Sequence, residues 1–522
     1  MRPKPVGALL VSLLCALGAI PATGAAASAG TGAVAEISAA DSTVGDRIRP
    51  YEALIEPVTA ASRPLPALPT EALVTAVTTL SAQLGFVQSP GAKIRAAGLP
   101  PTVAGGLANL LGDIATCRAL TATKFAAIPS GQLSDVIRTG GGLDPAQFVG
   151  IRACAEQMWS ATGALQLALR EQAPAGAAGE CTPLGTPSLD IWPVLRLEAS
   201  CADNIYPNDY LLLVDAGGND TYRNNAGSNL VDVNFSPAGS TVPGLRGVGP
   251  AKGCQRAIPG LTAADCVPAA AVLLDLQGQD TYGVKESPDH DAGCTTDPVV
   301  RRMMTGGAGF LGVGILRDAD TTTDHYTGKT GSLGAGHIFG IGVLSDAGGD
   351  DTYDAVRNSQ GFSLIGALGV LRDEAGDDTY GFTMPAPINP AAPNQTEGAG
   401  GVRDDEGEGL CDRIPRFTQG TANVAPTSIG LLIDDGGRDH YHGAFVVEFT
   451  GPFQIPSVRA GSLGFGNNQG LGVFLDRGGD DIYQVDGEPQ ITGLPRRGNG
   501  TTVLPGNDST GSGVGSGLFI DS

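Results

Sequence analysis

Val343-Leu344-Ser345-Asp346-Ala347-Gly348-Gly349-Asp350-Asp351-Thr352-Tyr353 and Val370-Leu371-Arg372-Asp373-Glu374-Ala375-Gly376-Asp377-Asp378-Thr379-Tyr380 are two copies of one pattern, 27 residues apart. An apolar strand runs into an Asp/Gly turn, and a short strand through Tyr follows. Outward from this pair the pattern recurs seven times, with a first Asp at 215, 275, 318, 346, 373, 434 and 476 and a closing Tyr at 222, 282, 326, 353, 380, 441 and 483. A second Asp follows the first by five residues at 220, 280, 351, 378, 439 and 481; the third copy is stretched by one, to Asp324. A partial eighth copy occupies Gly517-Leu518-Phe519-Ile520-Asp521.

The period predicts the architecture. A four-stranded propeller blade takes about 40 residues, so a 27-residue unit fits a coil of a parallel β-helix better. Each coil has one apolar face that only a stacked neighbour can cover. Ser332–Gly336 is echoed by Ser462–Gly466, and Gly340–Leu344 by Gly470–Leu475, which gives two or three short strands per unit. The longer gaps of 60, 43, 61 and 42 residues read as insertions looping out between coils. The expected fold is mainly β: a right-handed parallel β-helix (solenoid) over residues 205–522, preceded by a small α-helical domain.

Parallel stacking makes columns of the two Asp positions, with neighbours about 4.8 Å apart. Two carboxylates at that distance repel by about 3 kcal/mol at an effective dielectric of 20. Water, backbone N–H groups or cations must absorb that charge. Calcium suits the third option, because it takes six to eight oxygens in flexible geometry. The candidate ligands are Asp215, Asp220, Asp275, Asp280, Asp346, Asp351, Asp373, Asp378, Asp434, Asp439, Asp476 and Asp481. The competing reading is a purely structural turn, since Asp bonds its own backbone and Gly accepts positive φ. The Tyr column reads as a packing ladder.

Gly217-Gly218-Asn219-Asp220-Thr221-Tyr222 and Gly479-Asp480-Asp481-Ile482-Tyr483 resemble the RTX calcium repeat, G-G-x-G-x-D-x-U-x. The resemblance implies that Asp220, Asp280, Asp351, Asp378, Asp439 and Asp481 match its ligand Asp, and that each following Tyr matches its core-facing residue. It covers about eight residues per copy; the repeat length of 27 departs from the RTX nonapeptide. The array as a whole resembles secreted bacterial proteins rich in D-x-G-G-D-D-x-Y repeats, a likeness that implies no activity.

The rest of the chain is consistent with export. Arg2 and Lys4 precede an apolar run from Val6 to Ile20, and small residues near Ala27 follow, so residues 1–27 read as a signal peptide. Eight cysteines remain after Cys15, an even number for an oxidising compartment. Proximity suggests the pairs Cys117–Cys154, Cys181–Cys201, Cys254–Cys266 and Cys294–Cys411. Residues 28–66 read as a flexible leader, 67–172 as the helical domain and 173–204 as a linker. Helices are expected from Thr70 to about Leu84, from Pro101 to about Phe125, and from about Asp144 to Glu171.

The formal net charge of -22 argues against nucleic acid as a partner, and no apolar stretch predicts stable membrane insertion. No nucleophile elbow, HExxH or Walker motif occurs. His440 and His442, with Asp439 and His325, form a weak candidate metal group, and Asp404–Glu408 a solvated acidic loop. Arg317, Arg372 and Arg477 beside the first Asp column read as salt-bridge partners. The expected function is an extracellular structural or binding repeat protein, calcium-stabilised, with a cell-surface or polysaccharide ligand. The alternative is a carbohydrate-active β-helix enzyme, a lyase or hydrolase.

Overall fold

The computed structural model describes residues 32–57, 67–84, 89–126, 149–173, 181–229, 270–283, 305–381, 422–423, 428–444, 446–450, 455–460, 462–466, 470–486, 497–503 and 516–522. The segment expected to be a signal peptide, the expected Cys254–Cys266 and Cys294–Cys411 pairs and the Asp404–Glu408 run lie outside them.

The array forms sheets whose neighbours are successive repeats. The long sheet has eleven strands, ordered Leu189–Ile191, Leu195–Glu198, Leu212–Asp215, Ala270–Asp275, Val313–Asp318, Ile341–Ser345, Leu368–Asp373, Ile429–Asp434, Leu471–Asp476, Ser516–Asp521 and Thr502–Val503. All its pairings are parallel except the two outermost, which are antiparallel. A second sheet of eight strands carries the tyrosines, from Ile205–Tyr206 to Ile482–Asp486, all parallel. A third of four short strands runs through Gly309–Phe310, Gly336–His337, Ser363–Leu364 and Ala422–Asn423. Insertions do not disturb the register: Leu371 pairs Leu432 across the insertion, as it pairs Leu344 across none.

Alternation along each strand of the long sheet assigns its two faces. Leu213, Leu273, Leu316, Leu344, Leu371, Leu432, Phe474 and Phe519 point inward and form one core with the tyrosines. Val214, Leu274, Ile315, Val343, Val370, Leu431, Val473 and Leu518 point outward into a second core shared with the helices. A strand apolar on both faces is the mark of a parallel sheet covered on both sides.

Among the described residues, seven α-helices provide that cover: α1 (Ala33–Ala40), α2 (Ser42–Ile48), α3 (Glu52–Ile55), α4 (Thr70–Gln83), α5 (Gly91–Ala97), α6 (Pro101–Ala126) and α7 (Val149–Arg170). The layer spans the sheet. Lys93 Nζ on α5 donates to the Asp190 carbonyl at one end. Arg372 Nη1 donates to the Ile55 carbonyl at 2.9 Å, and Arg477 Nε meets Glu36 on α1 at 2.8 Å at the other end. Arg317, Arg372 and Arg477 lie on this outer face and pair with Glu374, Asp435 and Asp435 respectively, the salt-bridge role expected for them.

Two segment assignments change. The flexible leader contains α1, α2 and α3, and Val34, Ile37, Val44, Ile48, Leu54 and Ile55 are buried in the shared core. The Ala/Thr/Pro composition hid a short apolar face that the sheet covers. The 173–204 linker contains the first two strands of the long sheet: Leu195–Glu198 pairs in register with Leu212–Asp215, Glu198 opposite Asp215. A degenerate repeat therefore precedes the first copy, with Glu198, Asn204 and Tyr206 in the places of the first Asp, second Asp and Tyr. Cys117–Cys154 ties α6 to α7 and Cys181–Cys201 ties the segment ahead of that repeat to its turn, with Cα separations of 5.6 Å and 5.8 Å.

One glycine column sets how closely the turns stack. A Cβ on Gly278, at φ +140°, would lie 1.7 Å from the Gly218 carbonyl oxygen, and one on Gly376 1.5 Å from that of Gly349. Gly278→Ala is expected to destabilise the protein by about 3 kcal/mol or more, from overpacking together with left-handed strain. Gly498→Ala, with nothing within 4 Å of the added carbon, should leave stability nearly unchanged. Chemical denaturation of both variants checks the pair; equal midpoints would remove the close-stacking argument.

Candidate metal centre

The tyrosines span the interior and aim their hydroxyls at the first Asp column. Tyr206, Tyr222, Tyr282, Tyr326, Tyr353, Tyr380, Tyr441 and Tyr483 stack with ring centroids 4.7 to 5.1 Å apart. The Tyr282 hydroxyl lies 3.1 Å from Asp275 and 2.6 Å from Asp318, and the hydroxyls of Tyr326 and Tyr483 likewise each meet the first Asp of two successive repeats. Tyr441 donates to Asp434 at 3.0 Å, and the Tyr483 hydroxyl lies 2.7 Å from both Asp476 and Asp521. These bonds use Oδ2 of the first Asp. Oδ1 accepts the N–H two residues on, as in Gly217 to Asp215 and Gly348 to Asp346, both at 2.8 Å. Asp215, Asp275, Asp346, Asp373 and Asp434 are thus fixed by their own turn and by the facing sheet, whereas Oδ1 of Asp318 and of Asp476 is buried without a hydrogen bond.

The second Asp column is held differently. Oδ1 accepts the backbone N–H of the equivalent residue one repeat earlier: Asp220 N–H to Asp280, Asp324 to Asp351, Asp351 to Asp378 and Asp378 to Asp439, each at 2.6 Å. An exposed column beside it runs in the opposite sense, where Asp377 N–H donates to Asp350 at 3.0 Å and Arg438 N–H to Asp377 at 2.9 Å. Two opposed side-chain ladders therefore stitch the turns. The buried column ends in neutral groups: Asn204 N–H meets Asp220 at one end, and Asn499 Oδ1 accepts from Asp481 at 3.2 Å at the other.

The second-column Oδ2 atoms have no backbone partner, and only that of Asp280 meets a side-chain donor, the Tyr282 hydroxyl at 3.4 Å. Those of Asp220, Asp324, Asp351, Asp378, Asp439 and Asp481 are buried without a hydrogen bond. For all of these except Asp481 the whole residue is only 1–2% exposed. They face the first column and form triads: Asp220, Asp275 and Asp280; Asp280, Asp318 and Asp324; Asp324, Asp346 and Asp351; Asp351, Asp373 and Asp378; Asp378, Asp434 and Asp439, with one further group. In each triad the three oxygens lie within 4.8 Å of one another, the span across a calcium ion with ligands about 2.4 Å away. These clusters of buried Asp can hold a metal ion.

Nine of the twelve candidate ligands fall in the five named triads; Asp215, Asp476 and Asp481 hold equivalent places in the two columns. The triads also contain Asp318 and Asp324, which the five-residue spacing had set aside. In-register pairing of Asp275 with Asp318, and of Tyr326 with Tyr282 and Tyr353, was the available signal. The extra residue is absorbed in the turn, where Asp320 accepts the Thr322 N–H at 2.7 Å. The histidine grouping does not form. His325 pairs with Thr352, and Thr352 with Thr379, before His440 is reached, while Asp439 points to the opposite face of its strand from His440.

Charge in this interior shifts the acids upward. Burial pushes Asp351 up to about 7. Burial, then the charge of Asp434, pushes Asp378 to about 10 and Asp439 and Asp476 to about 9. Burial raises Asp434 to about 6 against the opposing Gly436 N–H and the Tyr380 and Tyr441 hydroxyls. His337, buried in the short sheet with neither ring nitrogen bonded, is pushed down to about 4 by burial.

Compared with known proteins, the chain matches no family model, no curated protein and no solved structure.

The raised values give a pH dependence of definite sign. A carboxyl whose folded pKa lies above its unfolded value stabilises the fold fully below the unfolded value, and the contribution is lost as pH rises through the folded one. Protein held in chelator should therefore melt at progressively lower temperature as pH is raised from about 5 to 9. A chelated protein whose melting temperature climbs over that range would show that the carboxylates are not buried as described.

Proposed function

We propose that this is an exported, extracellular structural or binding repeat protein, a parallel β-helix whose stacked turns are neutralised by calcium. The observation that carries the reading is the row of buried Oδ2 atoms without hydrogen-bond partners, each aimed into a triad of carboxylates. An unpaired buried charge costs several kcal/mol, so such a row needs a cation or a proton at every repeat. Calcium supplies two charges per site and accepts an oxygen-only shell. Carboxylate oxygens are the hard donors it prefers. The two bridged cysteine pairs support an oxidising compartment. The helical layer takes up one face of the long sheet, which leaves the turns and the outer side of the tyrosine sheet as the surfaces for a cell-surface or polysaccharide ligand.

The test is thermal unfolding of the full chain at pH 7.5 with calcium and with chelator. One site adds about 2.7 kcal/mol at free calcium 100 times its dissociation constant, so several sites should raise the melting temperature by well over 10 °C. With calcium, the order against pH inverts: cation-held carboxylates stabilise at neutral pH and lose that contribution as acid displaces the ion. Identical melting curves in calcium and chelator at pH 7.5 would sink the reading and leave shared protons as the neutralising charge.

A further inference from the structure

We infer that the triads are a single file of sites for divalent ions, in which each interior second-column carboxylate serves two neighbouring ions. The inference rests on the cation-stabilised reading above and adds its stoichiometry and its charge selectivity.

Membership of the triads shows the sharing. Asp280, Asp324, Asp351 and Asp378 each belong to two triads, one on either side, whereas Asp275, Asp318, Asp346, Asp373 and Asp434 each belong to one. The backbone enforces the difference. A first-column Asp is tied to the tyrosines, and Asp275, Asp346, Asp373 and Asp434 also within their own turns, as Asp346 is by Gly348 N–H at 2.8 Å and by Tyr326. A second-column Asp reaches back to the N–H of the preceding repeat, as Asp351 does to Asp324 at 2.6 Å, and so sits at the boundary between two repeats with Oδ2 unpartnered.

Charge selects the ion. The five named triads contain eleven carboxylates. Five divalent ions leave a single negative charge, whereas five monovalent ions leave six and five trivalent ions an excess of four positive. In an interior where like charges about 4.8 Å apart interact by about 3 kcal/mol at a dielectric of 20, only the divalent filling comes close to neutral. One ion per repeat boundary and two carboxylates per ion is the composition that the shared column provides.

Equilibrium dialysis of the full chain against calcium in excess sodium, with metal analysis, counts the ions; near-ultraviolet circular dichroism of the stacked tyrosines checks folding. The wild type should retain at least five calcium ions per chain. Asp351→Asn should retain two fewer, because it sits in two triads, and Asp346→Asn one fewer. Asp350→Asn, in the exposed ladder, should retain the full number. The asparagine variants keep an oxygen for the bonds made by Oδ1, and the count in folded wild type stands even if a variant does not fold. A folded wild type that retains no calcium overturns both this inference and the cation-stabilised reading. One to four ions, or equal losses in Asp351→Asn and Asp346→Asn, overturns the shared file and leaves calcium stabilisation standing.

Discussion

Two carboxylates per repeat are buried beneath each Asp/Gly turn, and the geometry of the repeat follows from how that charge is held. The first is clamped between its own turn and the tyrosine hydroxyls of the facing sheet. The second is clamped to the backbone of the neighbouring repeat. A carboxylate that accepts a turn N–H on one oxygen and a phenol hydrogen bond on the other has both oxygens engaged, which is what makes its burial tolerable. The second carboxylate keeps one oxygen bare, and that oxygen gives the structure its chemistry.

The tyrosine ladder belongs to the same constraint. A stack of apolar rings alone would be served equally well by Phe, and the long sheet does use Phe474 and Phe519 in its own inner column. In the facing column a hydroxyl is needed, because the first Asp lies across the interior at the reach of a phenol. Glycine at the turn completes the arrangement by letting the carbonyl oxygen of the preceding repeat approach where a Cβ would intrude; only the stretched third turn carries another residue, Thr322, at that place. Stacking distance, phenol bridges and carboxylate spacing are one geometry seen from three sides.

The helices solve a separate problem. The outer face of the long sheet is as apolar as the inner one, and α1 to α7 bury it as one continuous core. The arginines beside the first Asp column look outward; Arg372 and Arg477 lock this layer to the sheet through the Ile55 carbonyl and Glu36, and Asp435 links the two arginines within the array. Both ends of the long sheet close on antiparallel pairs, and the buried acidic column closes on Asn204 and Asn499. Each end therefore stops both the hydrogen-bond ladder and the row of charge, which limits pairing between exposed edges.

The repeat, its 27-residue period, the parallel stacking and the two Asp columns were legible in the sequence, because an in-register stack forces chemically equivalent positions to carry the same residue. Asp275 and Asp318, or Tyr353 and Tyr380, must match when they lie one strand apart. The two cysteine pairs among the described residues were legible from proximity for a similar reason, since short separations leave few geometries. Tertiary structure decided the rest. A terminal repeat has only one neighbour, so Glu198 and Asn204 could replace Asp without leaving a repeat signature. The short helices of residues 33–55 have little apolar pattern of their own and are ordered by a sheet far away in sequence. Which Asp oxygen is bonded and which is bare, and that one carboxylate stands between two sites, depends on contacts across repeats that are 27 to 61 residues apart; a local sequence motif records the residue but not the direction in which it reaches.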